Sequence, residues 1–255
     1  MLRTSLILAL AACGADATSD ATTYSTGTTT GTTAAGFTVE GTAVLLLDPA
    51  SPAPNFCISV LDPTPALAGG APTVLASAVI GADGTFSVAG IETGSTIGIL
   101  MAVSDCDPLA PSGALLTATG IEAADYADAA AGTVLSGYTA FVIDDGTAAT
   151  LTGGLAAAGY AGDIAVEGSL VGFVLDAANA PVDGATVGAP DDVSVFYMSA
   201  TGLTSGPTSA AAGALFIIPA APIFTYSATA TGLTFAPVLA GSQPGTQVVI
   251  AFNGE

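Results

Sequence analysis

Ala82-Asp83-Gly84-Thr85-Phe86-Ser87-Val88 is the stretch on which the reading of the fold turns. Thr85 to Val88 alternates polar and apolar side chains, the period of a strand with one face in a core and one in water. Ala82-Asp83-Gly84 before it is a tight turn, where glycine supplies the positive φ that other residues resist. The same texture runs outward in both directions. From Phe37 onward, Val-, Leu- and Thr-rich runs are broken by Asp-Pro, Pro-Ala, Asp-Gly and Gly-Ser steps roughly every 8–12 residues, as in all-β chains. The runs predict strands at 37–47, 56–61, 73–80, 85–89, 96–103 and 114–119. A second series is predicted at 164–175, 184–188, 193–199, 214–218, 224–230 and 246–252.

Between the series, residues 122–131 and 145–158 are Ala-rich with Asp near their starts. They predict short helices, the second with Asp144 or Asp145 as its N-cap. The two series also begin alike. Val39-Glu40-Gly41-Thr42-Ala43 parallels Val171-Gly172-Phe173-Val174, and Gly84-Thr85-Phe86 parallels Gly213-Ala214-Leu215-Phe216. We therefore expect two copies of one β-sandwich module, 37–119 and 164–255, joined by a connector at 120–163.

Charge narrows the function. Twenty-one acids face a single base and no histidine in 255 residues, with only 9% charged residues and 6% aromatics. The base is Arg3. A chain so poor in cations cannot neutralise phosphates, which excludes nucleic acid as a partner. It offers no lysine for a nucleotide phosphate and no imidazole for base catalysis. No Gly-x-Ser-x-Gly motif is present, and a serine nucleophile would lack a histidine base. A glycosidase needs two facing carboxylates and usually aromatic platforms, yet tryptophan is absent. The expectation is a protein that is no enzyme and carries no cofactor.

At the N-terminus, Arg3, the apolar run Leu6 to Leu10 and the small residues Ala11 and Ala12 follow the order of a secretory signal. The run is too short to span a bilayer, which takes about 20 apolar residues. Leu10-Ala11-Ala12-Cys13 resembles the bacterial lipobox, which implies a signal peptide at 1–12 and lipidation of Cys13. Two or more acyl chains anchor a protein stably to a membrane. Gly14 is not the Asp that retains such lipoproteins in the inner membrane of enteric bacteria, which points to the outer membrane or cell surface. Residues 14–36 are almost pure Thr, Ala, Gly, Ser and Asp. They cannot build a core, so 13–36 is expected to be a lipidated, disordered Thr-rich stalk.

The second series resembles a known family. Leu170-Val171-Gly172-Phe173-Val174-Leu175-Asp176, followed by Ala180-Pro181-Val182-Asp183-Gly184-Ala185-Thr186-Val187, is similar to the opening of the carboxypeptidase regulatory-like domain. That family is a transthyretin-like β-sandwich related in shape to Ig-like folds. The likeness extends over 166–255, with Gly245 to Phe252 as the closing strand, and partly over 37–119, where Ala82 to Gly94 supplies the middle. Ala211 and Ala212 stand where the family usually has an acid, and the first series lacks the Pro-Val-x-Gly-Ala element. Such motifs specify fold rather than function. Gly172 and Gly184 suit a close approach or a turn, and Val174, Val182 and Val187 are expected to face inward.

Once Cys13 is acylated, Cys57 and Cys106 are the remaining thiols. Exported chains tend to pair such cysteines, so a disulfide is expected, with two buried free thiols as the alternative. The paired carboxylates Asp105 and Asp107, Asp144 and Asp145, and Asp191 and Asp192 could attract calcium. None has the spacing of a dedicated loop, so they are expected to be turn residues, with no metal site.

Together these readings describe a non-catalytic, lipid-anchored envelope protein. It would present its β-sandwich modules in a structural, adhesive or partner-binding role, with a membrane as one partner and a protein or glycan as another. The alternative is a calcium- or glycan-binding lipoprotein accessory to an envelope machine. Oligomeric state is open.

Overall fold

Asp83 accepts from the amide of Thr85 at 3.0 Å and from its hydroxyl at 2.7 Å. Gly84 takes a φ of 80°. The turn therefore forms as its residues dictate, and Thr85 to Val88 leaves it with side chains alternately exposed and buried. Around this unit a computed structural model describes residues 36–68, 70–106 and 113–255. Cys13, the stalk up to residue 35 and Asp107 lie outside the described residues.

The first half comprises β1 (Phe37–Leu45), β2 (Asp48–Pro52), β3 (Cys57–Asp62), β4 (Thr73–Val79), β5 (Thr85–Ile91), β6 (Ile99–Ser104) and β7 (Ala114–Ile121). Next come α1 (Ala123–Tyr126), β8 (Val134–Asp144), α2 (Asp145–Ala157) and α3 (Ile164–Glu167). The second half holds β9 (Ser169–Leu175), β10 (Thr186–Gly188), β11 (Phe196–Ser199), β12 (Gly202–Thr204), β13 (Leu215–Pro219), β14 (Phe224–Thr229), β15 (Val238–Ala240) and β16 (Thr246–Asn253). The fold is all-β with short helices.

One hydrogen-bonded path runs β12-β11-β13-β9-β16-β7-β6-β3-β4. β8 leaves it from β7, and β1 pairs with β8, β5 and β2. A separate sheet has the order β10-β14-β15. In the first half, β1, β5 and β8 close over β3, β6 and β7. Phe37, Val39, Ile58, Phe86, Val88, Met101 and Val142 pack between them. In the second half, the small sheet covers β9, β13 and β16, enclosing Leu170, Phe216, Ile218, Tyr226 and Phe252.

Some strands feed two cores. Ile99, Met101 and Val103 of β6 face the first core, while Leu100 and Ala102 face the second. In β13, Phe216 and Ile218 face the second core, and Leu215 and Ile217 face a third. The third core lies against α2, through Leu151 and Leu155, and includes Ile143, Val171 and Val249. Strands covered on both faces read as continuous apolar runs rather than alternating ones. This explains Ile-Leu-Met-Ala-Val in β6 and Leu-Phe-Ile-Ile in β13.

β16 joins the halves. It runs parallel to β9, from Gln247 opposite Ser169 to Asn253 opposite Leu175. On its other side it runs parallel to β7, from Thr246 opposite Leu116 to Val249 opposite Thr119. A buried polar chain fixes it there. Ser169 Oγ donates to Gln247 Oε1, and Gln247 Nε2 donates to the Ile164 carbonyl at 2.7 Å. Both side chains are fully buried, and with partners made their burial is tolerated.

Several expectations shift. Residues 122–131 yield only the four-residue α1, whereas α2 matches the helix expected at 145–158 and carries the Asp144 cap. Residues 120–163, expected to be a connector, also hold the eleven-residue β8. Ile164–Glu167 was expected to open a strand but is helical, because Asp163 accepts from the Ala165 amide at 2.9 Å. β2, β12 and β15 are additional short strands.

Candidate functional site

Cys57 sits at the start of β3, opposite Ser104 at the end of β6. Cys106 follows two residues later, and the two are joined in a disulfide with Cα atoms 4.8 Å apart. That spacing lies within the usual range for a bridge. The bond pins two neighbouring strands at one end of the first core.

The carboxylates mostly hold local backbone. Asp144 accepts from the Thr147 amide at 2.8 Å and caps α2. Asp176 accepts from the amides of Ala178 and Ala180 at 2.8 and 2.9 Å, shaping the turn before Pro181. Asp105 accepts from the Ala114 amide at 3.3 Å, and Asp183 from that of Ala210 at 3.0 Å. Asp191 and Asp192 are exposed. The Thr85 hydrogen bonds hold Asp83 below its ordinary carboxylate value. Among the described residues, no three of Asp, Glu and Cys gather as a group that could hold a metal ion.

The residues that resemble the regulatory-like domain behave as their types require. A Cβ at Gly172 would lie 2.2 Å from the Phe216 ring, so this position admits only glycine without rearrangement. Gly184 has a φ of 72° in its turn. Val174 and Val187 are buried, and Val182 packs partly buried against the same core.

A cleft of about 310 Å³ lies where β7 and β8 part. β8 pairs with β7 only at Ala114 and Leu115 and otherwise follows β1, while β7 continues beside β16. Phe141 of β8 and Phe173 of β9 both line the opening, with ring centroids 5.3 Å apart. Glu122, Asp125 and Asn253 line it too. The Oγ1 of Thr119 in its wall is buried without a hydrogen-bond partner. Burial, and then the Asp125 charge, push the neighbouring Tyr138 phenol up to about 12. Sequence reading misses this cleft. Its parts come from five strands and the α1 turn, and no local motif links them.

Among the described residues, no helix is long and apolar enough to cross a membrane. The sequence matches no family model and no curated protein. Among solved structures, the TIE protein of Bacillus anthracis is similar at 13% identity and a TM-score of 0.28. The match covers 87% of this chain and 34% of that one, so the chain spans about a third of its length. The shaft pilin SpaA from Lactobacillus rhamnosus GG is similar at 8% identity and a TM-score of 0.25, over 87% of this chain and 98% of that chain. Scores this low carry no argument about function.

Proposed function

We propose that the chain is a non-catalytic, lipid-anchored envelope protein, held by Cys13 at the outer membrane or cell surface. Its β-sandwich halves would serve a structural, adhesive or partner-binding role. The observation that carries the reading is the order Arg3, Leu6 to Leu10, Ala11-Ala12-Cys13, with the only base of the chain standing where a signal needs one. The Cys57–Cys106 bridge supports it, because disulfides persist in oxidising compartments outside the cytosol. A regulatory-like, transthyretin-like second half belongs to the same reading. It rests on the turn and core residues between Leu170 and Val187.

The test is acylation. Cells fed a radiolabelled fatty acid should label the protein, and Cys13→Ser should abolish the label and release the protein from carbonate-washed membranes. A Cys13→Ser protein that still sediments with washed membranes would overturn the anchor.

A further inference from the structure

The cleft between β7 and β8 combines three features. Two aromatic rings, Phe141 and Phe173, form its apolar side. Glu122 and Asp125 bring carboxylates, and no described residue is a Lys, Arg or His that could pair with them. Thr119 contributes a buried hydroxyl with no partner in the protein. A buried hydroxyl left unpaired is destabilising, so this wall is suited to a guest carrying a hydrogen-bonding group. Aromatic faces attract cations through their quadrupole. The volume, about 310 Å³, falls at the lower end for small-molecule clefts, roughly 300–1,000 Å³.

We infer that this cleft binds a small organic ammonium ion. Its ammonium end would lie over the faces of Phe141 and Phe173, with its charge also answered by Glu122 and Asp125 and an N–H donated to Thr119 Oγ1. An inorganic cation fits less well, since Glu122 and Asp125 offer it carboxylate oxygens but Phe141 and Phe173 offer it none, and no third carboxylate joins them among the described residues. A neutral alcohol of the same shape would satisfy Thr119 but would leave the carboxylates unanswered. The inference is independent of the lipid anchor.

The probe is n-butylammonium, titrated into the full chain at 0.15 M NaCl and followed by amide chemical shifts. Saturable shifts should be confined to residues 119–125, 141, 173 and 249–253, with a Kd on the order of 1 mM, as expected for so few atoms. The neutral isostere n-butanol should bind at least about tenfold more weakly, a gap of about 1.4 kcal/mol. The Glu122→Gln/Asp125→Asn double variant should weaken n-butylammonium by a similar factor, and Phe141→Leu by about two- to fivefold. Asp191→Asn/Asp192→Asn, remote in sequence and exposed, should leave the Kd unchanged, which separates a site from diffuse attraction to a net charge of −20. A native-like amide spectrum outside the cleft establishes that each variant is folded. The proposal is overturned by shifts that do not saturate or spread over all exposed carboxylates. Equal binding of n-butanol, or an unchanged Kd in the Glu122/Asp125 variant, overturns it as well.

Discussion

Tyr226 lends itself to a quantitative test. It lies in β14, fully buried in the second core. Its hydroxyl donates to the Pro222 carbonyl at 2.8 Å, and its ring meets Phe224 edge-on at 5.4 Å. Burial pushes its phenol from 10.0 up to about 12. An acid whose folded pKa is raised holds its proton more tightly in the native state than in the unfolded one. Its contribution is therefore complete below pH 10 and is lost as pH rises from about 10 through about 12. Linkage puts the loss at about 1.4 kcal/mol by pH 11 and about 2.7 kcal/mol once both states have ionised. Tyr226→Phe removes the ionisable group and one hydrogen bond. Pro222 is exposed, so water can replace the donor, and the variant should lose about 0.5–1.5 kcal/mol at pH 8. Between pH 8 and pH 11 it should then lose about 1.4 kcal/mol less than the parent. Urea unfolding at both pH values measures this difference, and the other raised phenols cancel because both proteins carry them. If parent and variant lose equal stability over that interval, the native phenol ionises as freely as the unfolded one, and burial does not govern it.

Two further outcomes concern packing and covalent bonding. Replacing Cys57 and Cys106 together by Ala should cost up to about 4 kcal/mol by the loop-entropy relation. Reductant should bring the parent to the same urea midpoint, and a midpoint indifferent to reductant would contradict the bridge. Gly172→Ala should destabilise by about 1–3 kcal/mol through overpacking against Phe216. Adding Phe216→Leu should recover part of that loss in unfolding measurements, and strictly additive losses would show that the ring is not what the methyl meets.

What was legible in the sequence is local. The Asp83-Gly84 turn, the alternation from Thr85 to Val88 and the Asp144 cap are decided within a few residues, and each takes the form that its chemistry requires. β8 was hidden because it is a parallel partner of β1, about a hundred residues away, and its Leu-Ser-Gly-Tyr opening carries no clean alternation. Ile164-Ala165-Val166 looks like strand, and the cap from Asp163 overrides that propensity. The disulfide could be reached by elimination among three cysteines. The cleft could not, since Phe141 and Phe173 become neighbours only when β8 and β9 pack.

The position of β16 has a consequence for how the molecule is made. Hairpins such as β3 with β4, or β6 with β7, can close while later residues are still being synthesised. The strand that both β7 and β9 await comes last among those described. Until Thr246–Asn253 arrives, each half has an unpaired edge facing the other, and such edges invite pairing with other chains. The strong uniform negative charge then acts as a kinetic guard, keeping unfinished molecules apart until the latch is set. A chain cut short before Thr246 keeps most of its apolar side chains but can never seal the seam, so these eight residues make length itself a condition of the native state.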